Sequence, residues 1–200
     1  YRSWQACRAP DSGSAGTVRG NSCADLTDPT RSLLGTAQEQ WLGTGLAADA
    51  AASNAAQDDP TRWSVIAQQT LFSPRHYPSG TVTTDNWDGY PAARARLLQA
   101  VAQHKPRNTV LLGGDIHQNY VCRVHVNADR PDSPVIASEF CGTSISSRSG
   151  TTQDKVDAVV RHNPHVLLAR CDLRGYGLAH ITPTQWTTAL RVLDDPLRAD

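Results

Sequence analysis

The 200-residue chain contains no methionine, two lysines and two glutamates. Because translation begins at methionine, we expect that part of the primary product lies upstream of residue 1. Nearly all cations are arginine and nearly all anions are aspartate, a bias that GC-rich codons produce and that indicates no function. The formal net charge is +0, so the basic surplus that is typical of nucleic-acid-binding proteins is lacking.

Long apolar runs and paired cysteine motifs are also lacking. No segment approaches the roughly 20 apolar residues of a membrane-spanning helix, and the first residues do not have the pattern of a signal peptide. The five cysteines form no C-x-x-C pair, which argues against a structural zinc site. Cys7 and Cys23 flank a segment rich in glycine and serine, and the sequence is equally consistent with a disulfide and with two thiols. Cys122 and Cys141 fall in predicted strands, which favours buried thiols.

The remaining composition is that of a globular protein, with 39% hydrophobic and 19% charged residues. Residues 1–32 are predicted to be an irregular lead-in, and residues 33–200 are predicted to form the structured portion. A capping box at Thr36 and Glu39 predicts the start of one helix. Pro91 at a favoured first position predicts a second helix that ends near His104.

Most of the remaining pattern predicts strands. The apolar run 109–112 is typical of a central strand that is covered on both faces. The other predicted elements are strands over 63–71, 120–126, 135–140, 166–171, 176–182 and 186–193, and a short helix over 154–161. The sequence therefore predicts a mixed α/β (α+β) architecture in which sheet predominates in the second half.

Asp115 and His117 are the leading candidates for chemistry, because they directly follow the predicted central strand. Gly113 and Gly114 before them allow a close backbone approach, and ligand crevices of α/β sheets form at the ends of strands. Carboxylate oxygen and imidazole nitrogen together suit first-row metals, and a two-metal clamp suits phosphoester displacement. The spacing alone leaves open a turn-capping aspartate and a structural histidine.

Seven segments in the same order resemble motifs of the PhoD-like alkaline phosphatases, over about residues 31–190. They are 34–42, 63 with 67–69, 85–94, 114–117, 139–147, 163–165 and 174–176. The resemblance implies the C-terminal part of a four-layer αββα calcineurin-like metallophosphoesterase sandwich. It further implies hydrolysis of phosphate mono- or diesters, iron and calcium as metals, and a periplasmic or extracellular location.

Roles are expected for several individual residues, and those of Asp115 and His117 rest on the resemblance. Asp115 and His117 are implied as metal ligands and catalytic residues, with protonation of the leaving group as an alternative role for His117. Trp87, Tyr90 and Arg174 are expected to contact the substrate, although Arg174 could equally brace the loop before its strand. The other metal-binding motifs of the family are expected upstream, so the missing N-terminal half is the predicted partner. The alternative is an inactive fragment or docking module with an exposed apolar sheet face.

The sequence allows two roles for each of several other polar residues. Glu139 ends a strand among apolar residues, so it is expected either to support a metal ligand or to make a structural hydrogen bond. Asp88 could bind a metal, but an aspartate near a helix start is also favourable to the helix dipole. His165 is expected at the surface or behind a ligand. Ser144 lacks the helix-backed elbow and the paired acid of a serine hydrolase, a class that the sequence therefore argues against.

Overall fold

The computed structural model describes Cys7, residues 16–55 and residues 63–195. Three α-helices lie within these residues: α1 (Thr36–Ala55), α2 (Pro91–His104) and α3 (Gln153–Val160). Short 3-10 helices cover Gly20–Ser22, Ala24–Thr27 and Trp87–Gly89. The strands are β1 (Thr17–Arg19), β2 (Val65–Ala67), β3 (Thr81–Thr83), β4 (Val110–Gly113), β5 (Asn119–His125), β6 (Val135–Cys141), β7 (Val166–Arg170), β8 (Arg174–Ile181) and β9 (Trp186–Leu193). The predicted mixed α/β architecture is confirmed.

The central feature is a five-stranded sheet with the order β2-β4-β6-β5-β7. Strands β2, β4 and β6 are parallel, whereas β5 is antiparallel to both of its neighbours. The register places Leu111 of β4 between Ile66 of β2 and Glu139 of β6. Because the carboxyl ends of β2, β4 and β6 meet at one edge, the loops that follow these strands are brought together there. Two smaller antiparallel pairs, β1-β3 and β8-β9, complete the described strands.

One face of the sheet is covered by helices and carries the core. At one end, Leu46 of α1 and Leu98 and Val101 of α2 pack against the sheet. The sheet residues in this cluster are Ile66, Leu111, Val124 and Ala137. At the other end, Val156 of α3 belongs to a second cluster with Tyr120, Cys122, Cys141 and Val166. Full burial of one such aliphatic side chain stabilises a fold by about 1.5–3 kcal/mol.

The opposite face of the sheet carries a row of apolar side chains across all five strands. Ala67, Leu112, Phe140, Val121 and Leu168 are successive partners in the register. Ala67 and Leu168 are exposed, and the three residues between them are half-buried. We call this set the open-face row. It has the apolar character that is expected of a sheet face against which a further layer packs.

Several boundaries differ from the sequence-based expectation for identifiable reasons. Strand β2 is shorter than the predicted 63–71, because the Gln68 side chain closes a turn at Thr70 by accepting from its amide and donating to its carbonyl. Thr36 is the first helical residue, and the Glu39 carboxylate accepts hydrogen bonds from Ser32 and Arg96 rather than completing the expected capping box. The second helix ends at His104, as predicted.

The predicted irregular lead-in, residues 1–32, contains β1 and two 3-10 helices within its described part. Residues 1–6 and 8–15 of that stretch lie outside the described residues. Cys7 and Cys23 form a disulfide with a Cα–Cα distance of 5.7 Å. Cys122 and Cys141 are buried free thiols, as predicted, and Cys171 is a third. Burial raises the pKa of the Cys122 thiol well above its usual range, which makes it a poor nucleophile. Among the described helices, none has the length and apolarity to cross a membrane.

Candidate functional site

The loop after β4 holds two non-glycine residues in the left-handed region. Asp115 has φ 67° and His117 has φ 55°, and a 2.8 Å hydrogen bond from the Ile116 amide to the Gly114 carbonyl tightens the turn. Aspartate and histidine are among the non-glycine residues that adopt this conformation most readily. Sparsely populated conformations of this kind concentrate at functional sites. Asp115 is exposed and His117 is half-buried, so the turn presents both side chains at the carboxyl edge of the sheet.

The hydrogen bond of His117 fixes which ring nitrogen is available. Its Nδ1 atom lies 3.2 Å from the carbonyl oxygen of Arg148. Because a carbonyl oxygen only accepts, Nδ1 carries the proton of the neutral ring and Nε2 keeps its lone pair. Histidines that bind metals commonly donate their other ring N–H in this way. The arrangement therefore suits a metal ligand, or a proton donor once Nε2 is protonated.

The backbone that leads to Asp115 rests on the turn after β2. A Cβ atom at Gly113 would collide with the Thr70 carbonyl oxygen and would lie 2.9 Å from Nε2 of Gln68. Oε1 of Gln68 accepts from Nε1 of Trp87 at 3.0 Å and from the Thr70 amide at 3.1 Å. Only glycine allows this approach between the end of β4 and the turn.

The loop after β6 joins the same edge and connects it to β8. The Gly142 amide donates to the Gly113 carbonyl at 3.0 Å, and the Gly175 amide donates to the Ser144 carbonyl at 3.0 Å. Arg174, at the start of β8, is thereby tied to the loop that carries Arg148. Its Nη1 atom donates to the Asp172 carbonyl at 3.3 Å, and its buried Nε has no hydrogen-bond partner among the described residues. The bond to Asp172 corresponds to the predicted bracing role, and part of the guanidinium remains for another partner.

Trp87 and Tyr90, the two aromatic residues expected to contact substrate, lie in the core. Their exposed fractions are 2% and 3%. The Trp87 ring packs edge-on against Phe72 with a centroid distance of 4.9 Å, and the Arg31 guanidinium lies 5.1 Å from the centroid of Tyr90. Burial raises the pKa of the Tyr90 hydroxyl, and the charge of Arg31 opposes that shift. Substrate contact by these two residues stays a prediction.

Glu139 accepts hydrogen bonds from a stretch of backbone whose burial has no signal in the sequence. Its Oε1 accepts from the Phe72 amide at 2.6 Å, and its Oε2 accepts from the Ser73 amide at 2.8 Å. The side chain is fully buried. Burial raises the pKa of Glu139, and the two amides and the charge of Arg94 oppose that shift. Of its two expected roles, the structure shows the structural hydrogen bonds.

Other polar side chains support the same stretch, residues 72–76, which we call the buried segment because its first three residues are buried. Asn163 accepts from the His76 amide and donates to the His76 carbonyl, both at 2.9 Å. His165 Nε2 lies 2.9 Å from the Pro74 carbonyl and is buried rather than at the surface. Asp88 accepts from the Arg75 amide at 3.3 Å, and its other oxygen lies 2.6 Å from Arg94 in a buried ion pair. These residues satisfy the hydrogen-bonding groups of a buried backbone. Their spacing in the sequence does not indicate this role.

Metal-ligating atoms converge in threes at one place in the described part of the chain: Cys7, Cys23 and Asp25. Both sulfurs there are consumed by the disulfide, so that group is not a metal site. Asp115 and His117 offer one oxygen and one nitrogen, a donor set that fits first-row metals. The described residues thus supply two ligand types at the sheet edge, and a complete coordination shell needs further ligands.

The fold and the edge site together define an α/β protein with a candidate ligand site at the carboxyl ends of its parallel strands. The model of the PhoD-like phosphatase family matches residues 1–190, and the chain belongs to that family. Alkaline phosphatase D from Bacillus subtilis (strain 168) is 36% identical over 172 residues, which are 83% of this chain and 27% of that protein.

A solved structure described as the structure of PhoD matches with a TM-score of 0.74 and 32% identity, covering 92% of this chain and 34% of that chain. This likeness confirms the predicted fold class. The chain spans about a quarter to a third of the length of these relatives.

Proposed function

We propose that this chain is the C-terminal portion of an enzyme that hydrolyses phosphate mono- or diesters with metal ions, and that Asp115 and His117 are two of the metal ligands. The observation that carries the proposal is the hydrogen bond from His117 Nδ1 to the Arg148 carbonyl, which leaves the lone pair of Nε2 for a metal ion. Membership of the PhoD-like phosphatase family supports the phosphoester substrate.

The donor set is compatible with the proposed metals, iron and calcium. Carboxylate oxygen suits calcium, and imidazole nitrogen with carboxylate suits iron. When bound, such ions lower the pKa of a water molecule and neutralise charge that develops on the phosphoryl oxygens.

The chain's own residues orient the reactants. Asp115 and His117 hold their positions through the left-handed turn. If His117 does not bind metal, its Nε2 is the group that gives a proton to the leaving oxygen. Arg174 presents the planar donor fork that suits phosphoryl oxygens. Trp87 and Tyr90 remain proposed substrate residues, and each offers only a small exposed fraction, 2% and 3%, for that contact.

The disulfide supports the proposed compartment. Disulfides persist in oxidising environments such as the periplasm and the extracellular space, and Cys7 and Cys23 are joined in this structure. We therefore propose an exported enzyme.

A second candidate function is favoured by the open-face row. An apolar stripe that crosses five strands is suited to docking against another protein layer. In that case the chain is inactive by itself and acts as a docking module for the missing N-terminal half.

The test uses the longer enzyme and the isolated chain in parallel. In the longer enzyme, Asp115→Asn and His117→Ala should lower hydrolysis of p-nitrophenyl phosphate and bis(p-nitrophenyl) phosphate by at least tenfold and lower bound metal, measured by elemental analysis. His180→Ala, at an exposed histidine of β8, is the matched control and should change neither quantity. Normal activity and metal content in both site variants would contradict the proposed metal site. Full activity of the isolated chain would exclude the docking-module alternative.

A further inference from the structure

We propose that Trp87 and Gln68 are positioning residues for the candidate metal site, because they lock the turn on which the backbone before Asp115 rests. The inference depends on the proposed function, since it concerns how that site is held. It assigns to Trp87 a role through its indole N–H, distinct from the substrate contact expected from the sequence.

Hydrogen bonds fix the orientation of the Gln68 side-chain amide. Its Oε1 accepts two hydrogen bonds, from Nε1 of Trp87 at 3.0 Å and from the Thr70 amide at 3.1 Å, while its Nε2 donates to the Thr70 carbonyl. A side-chain amide has one acceptor oxygen and one donor nitrogen, so these three bonds allow a single orientation. Trp87 supplies the bond that comes from outside the turn.

The turn after β2 also fixes the position of the end of β4. The Thr70 carbonyl occupies the space where a side chain of Gly113 would begin, so the two backbones are in direct contact. On the other side, the Gly142 amide donates to the Gly113 carbonyl at 3.0 Å. Gly113 is therefore held between the turn after β2 and the loop after β6, two residues before Asp115.

The surroundings of Trp87 leave it little freedom. Its ring contacts Phe72, and only 2% of its surface is exposed. Phenylalanine at this position would keep an aromatic ring in the pocket and lose the N–H. The Gln68 amide would then be held only within its own turn, and the Thr70 carbonyl would have more freedom against Gly113. Metal ligands with more conformational freedom bind the metal more weakly, because ordering them on binding costs free energy.

The experiment titrates Mn²⁺ into the ¹⁵N-labelled chain and follows paramagnetic broadening of the Gly114 and Ile116 amides, which detects even millimolar affinity. Trp87→Phe and Gln68→Met should each raise the apparent dissociation constant about fivefold, the typical net worth of one hydrogen bond. Trp41→Phe is the matched control, since Trp41 is 71% exposed and lines a surface cavity together with Trp87 and Gln68. Leu98→Val is a second control, which weakens the core without touching the turn.

The outcomes separate the two proposals. If His117→Ala leaves the broadening intact, or the wild-type chain shows none, the proposed metal site fails and the positioning role fails with it. If His117→Ala abolishes broadening but Trp87→Phe and Gln68→Met bind Mn²⁺ like wild type, the metal site stands and the positioning role is overturned.

Equal weakening by Leu98→Val would also overturn the positioning role, because loss of stability would then explain the effect. Should either positioning variant fail to fold, hydrogen exchange of the wild-type indole decides. A Trp87 N–H that exchanges slowly supports the lock, and one that exchanges within the dead time of the measurement refutes it.

Discussion

Replacing Glu139 by glutamine tests how the buried segment is held. Both carboxylate oxygens of Glu139 accept backbone N–H groups, from Phe72 at 2.6 Å and from Ser73 at 2.8 Å. Glutamine has nearly the same shape but only one acceptor oxygen. Its NH₂ group would therefore face one of these N–H groups, donor against donor. The change removes one hydrogen bond without creating a cavity.

The expected loss follows from the burial of the groups involved. A buried N–H that loses its partner costs about 1–3 kcal/mol, and a bond to a charged acceptor lies toward the upper part of that range. We therefore expect Glu139→Gln to lower the free energy of unfolding by about 1–3 kcal/mol. Glu139→Ala strands both amides, so it should cost about 2–6 kcal/mol, enough to unfold a domain of ordinary stability.

Urea denaturation followed by tryptophan fluorescence measures these differences through the midpoint and the slope of the transition. Asp132→Asn, in an exposed ion pair with Arg130, is the control and should leave the midpoint unchanged. A loss below about 0.5 kcal/mol for Glu139→Gln, the range of ordinary surface changes, would refute the idea that Glu139 is required by these amides.

The close backbone contact at Gly113, the Cys7–Cys23 disulfide and the charge of Glu39 should each contribute to the stability of the chain. Gly113→Ala should destabilise the chain by about 1–3 kcal/mol because its methyl group meets a carbonyl oxygen. Gly43→Ala, in open space on α1, should stabilise the chain by about 0.5–1 kcal/mol. If urea melts showed the same change in the free energy of unfolding for the two variants, both expectations would be wrong. Reducing the Cys7–Cys23 bridge, which spans 16 residues, should cost about 3 kcal/mol, and no shift of the melting temperature with dithiothreitol would count against it.

Glu39 should make part of the chain's stability depend on acid pH. Burial raises the pKa of Glu39, but hydrogen bonds from Arg96 and Ser32 outweigh burial and hold the pKa below its usual value of 4.5. The stability that Glu39 contributes is therefore complete above about pH 4.5 and is lost as the pH falls through the lowered pKa. Glu39→Gln should flatten this part of the stability profile, and an unchanged slope in urea melts between pH 5 and pH 3 would contradict the assignment.

Helices and central strands were predictable from the sequence because their signals are local. Pro91 marked the start of α2, and apolar runs marked β4 and β6, within a residue or two of the structure. The Asp115–His117 turn was predictable as a candidate site because two unusual residues follow a central strand. Its left-handed backbone and the Arg148 contact were not, since neither has a pattern in sequence.

The roles of the buried polar residues were not predictable, because they depend on partners far away in the chain. The sequence allows Asp88, Glu139 and His165 as metal-binding or ligand-supporting groups, whereas the structure shows them bound to the backbone of the buried segment. Likewise, the short length of β2 follows from one side-chain amide that folds back on the turn. Hydrogen bonds that connect a side chain to a non-repetitive backbone leave no periodic signature.

The buried segment also bears on how the chain folds. Its hydrogen bonds reach Glu139, Asn163 and His165, whose sequence separations from their partners are 66 to 91 residues. Contacts over such distances form slowly, because a long loop must be closed before they are gained. Phe72, Ser73 and His76 therefore acquire their amide partners only after β6 and the region following α3 have assembled. In native-state hydrogen exchange their amides should open only when the whole chain unfolds, although they belong to neither a helix nor a strand.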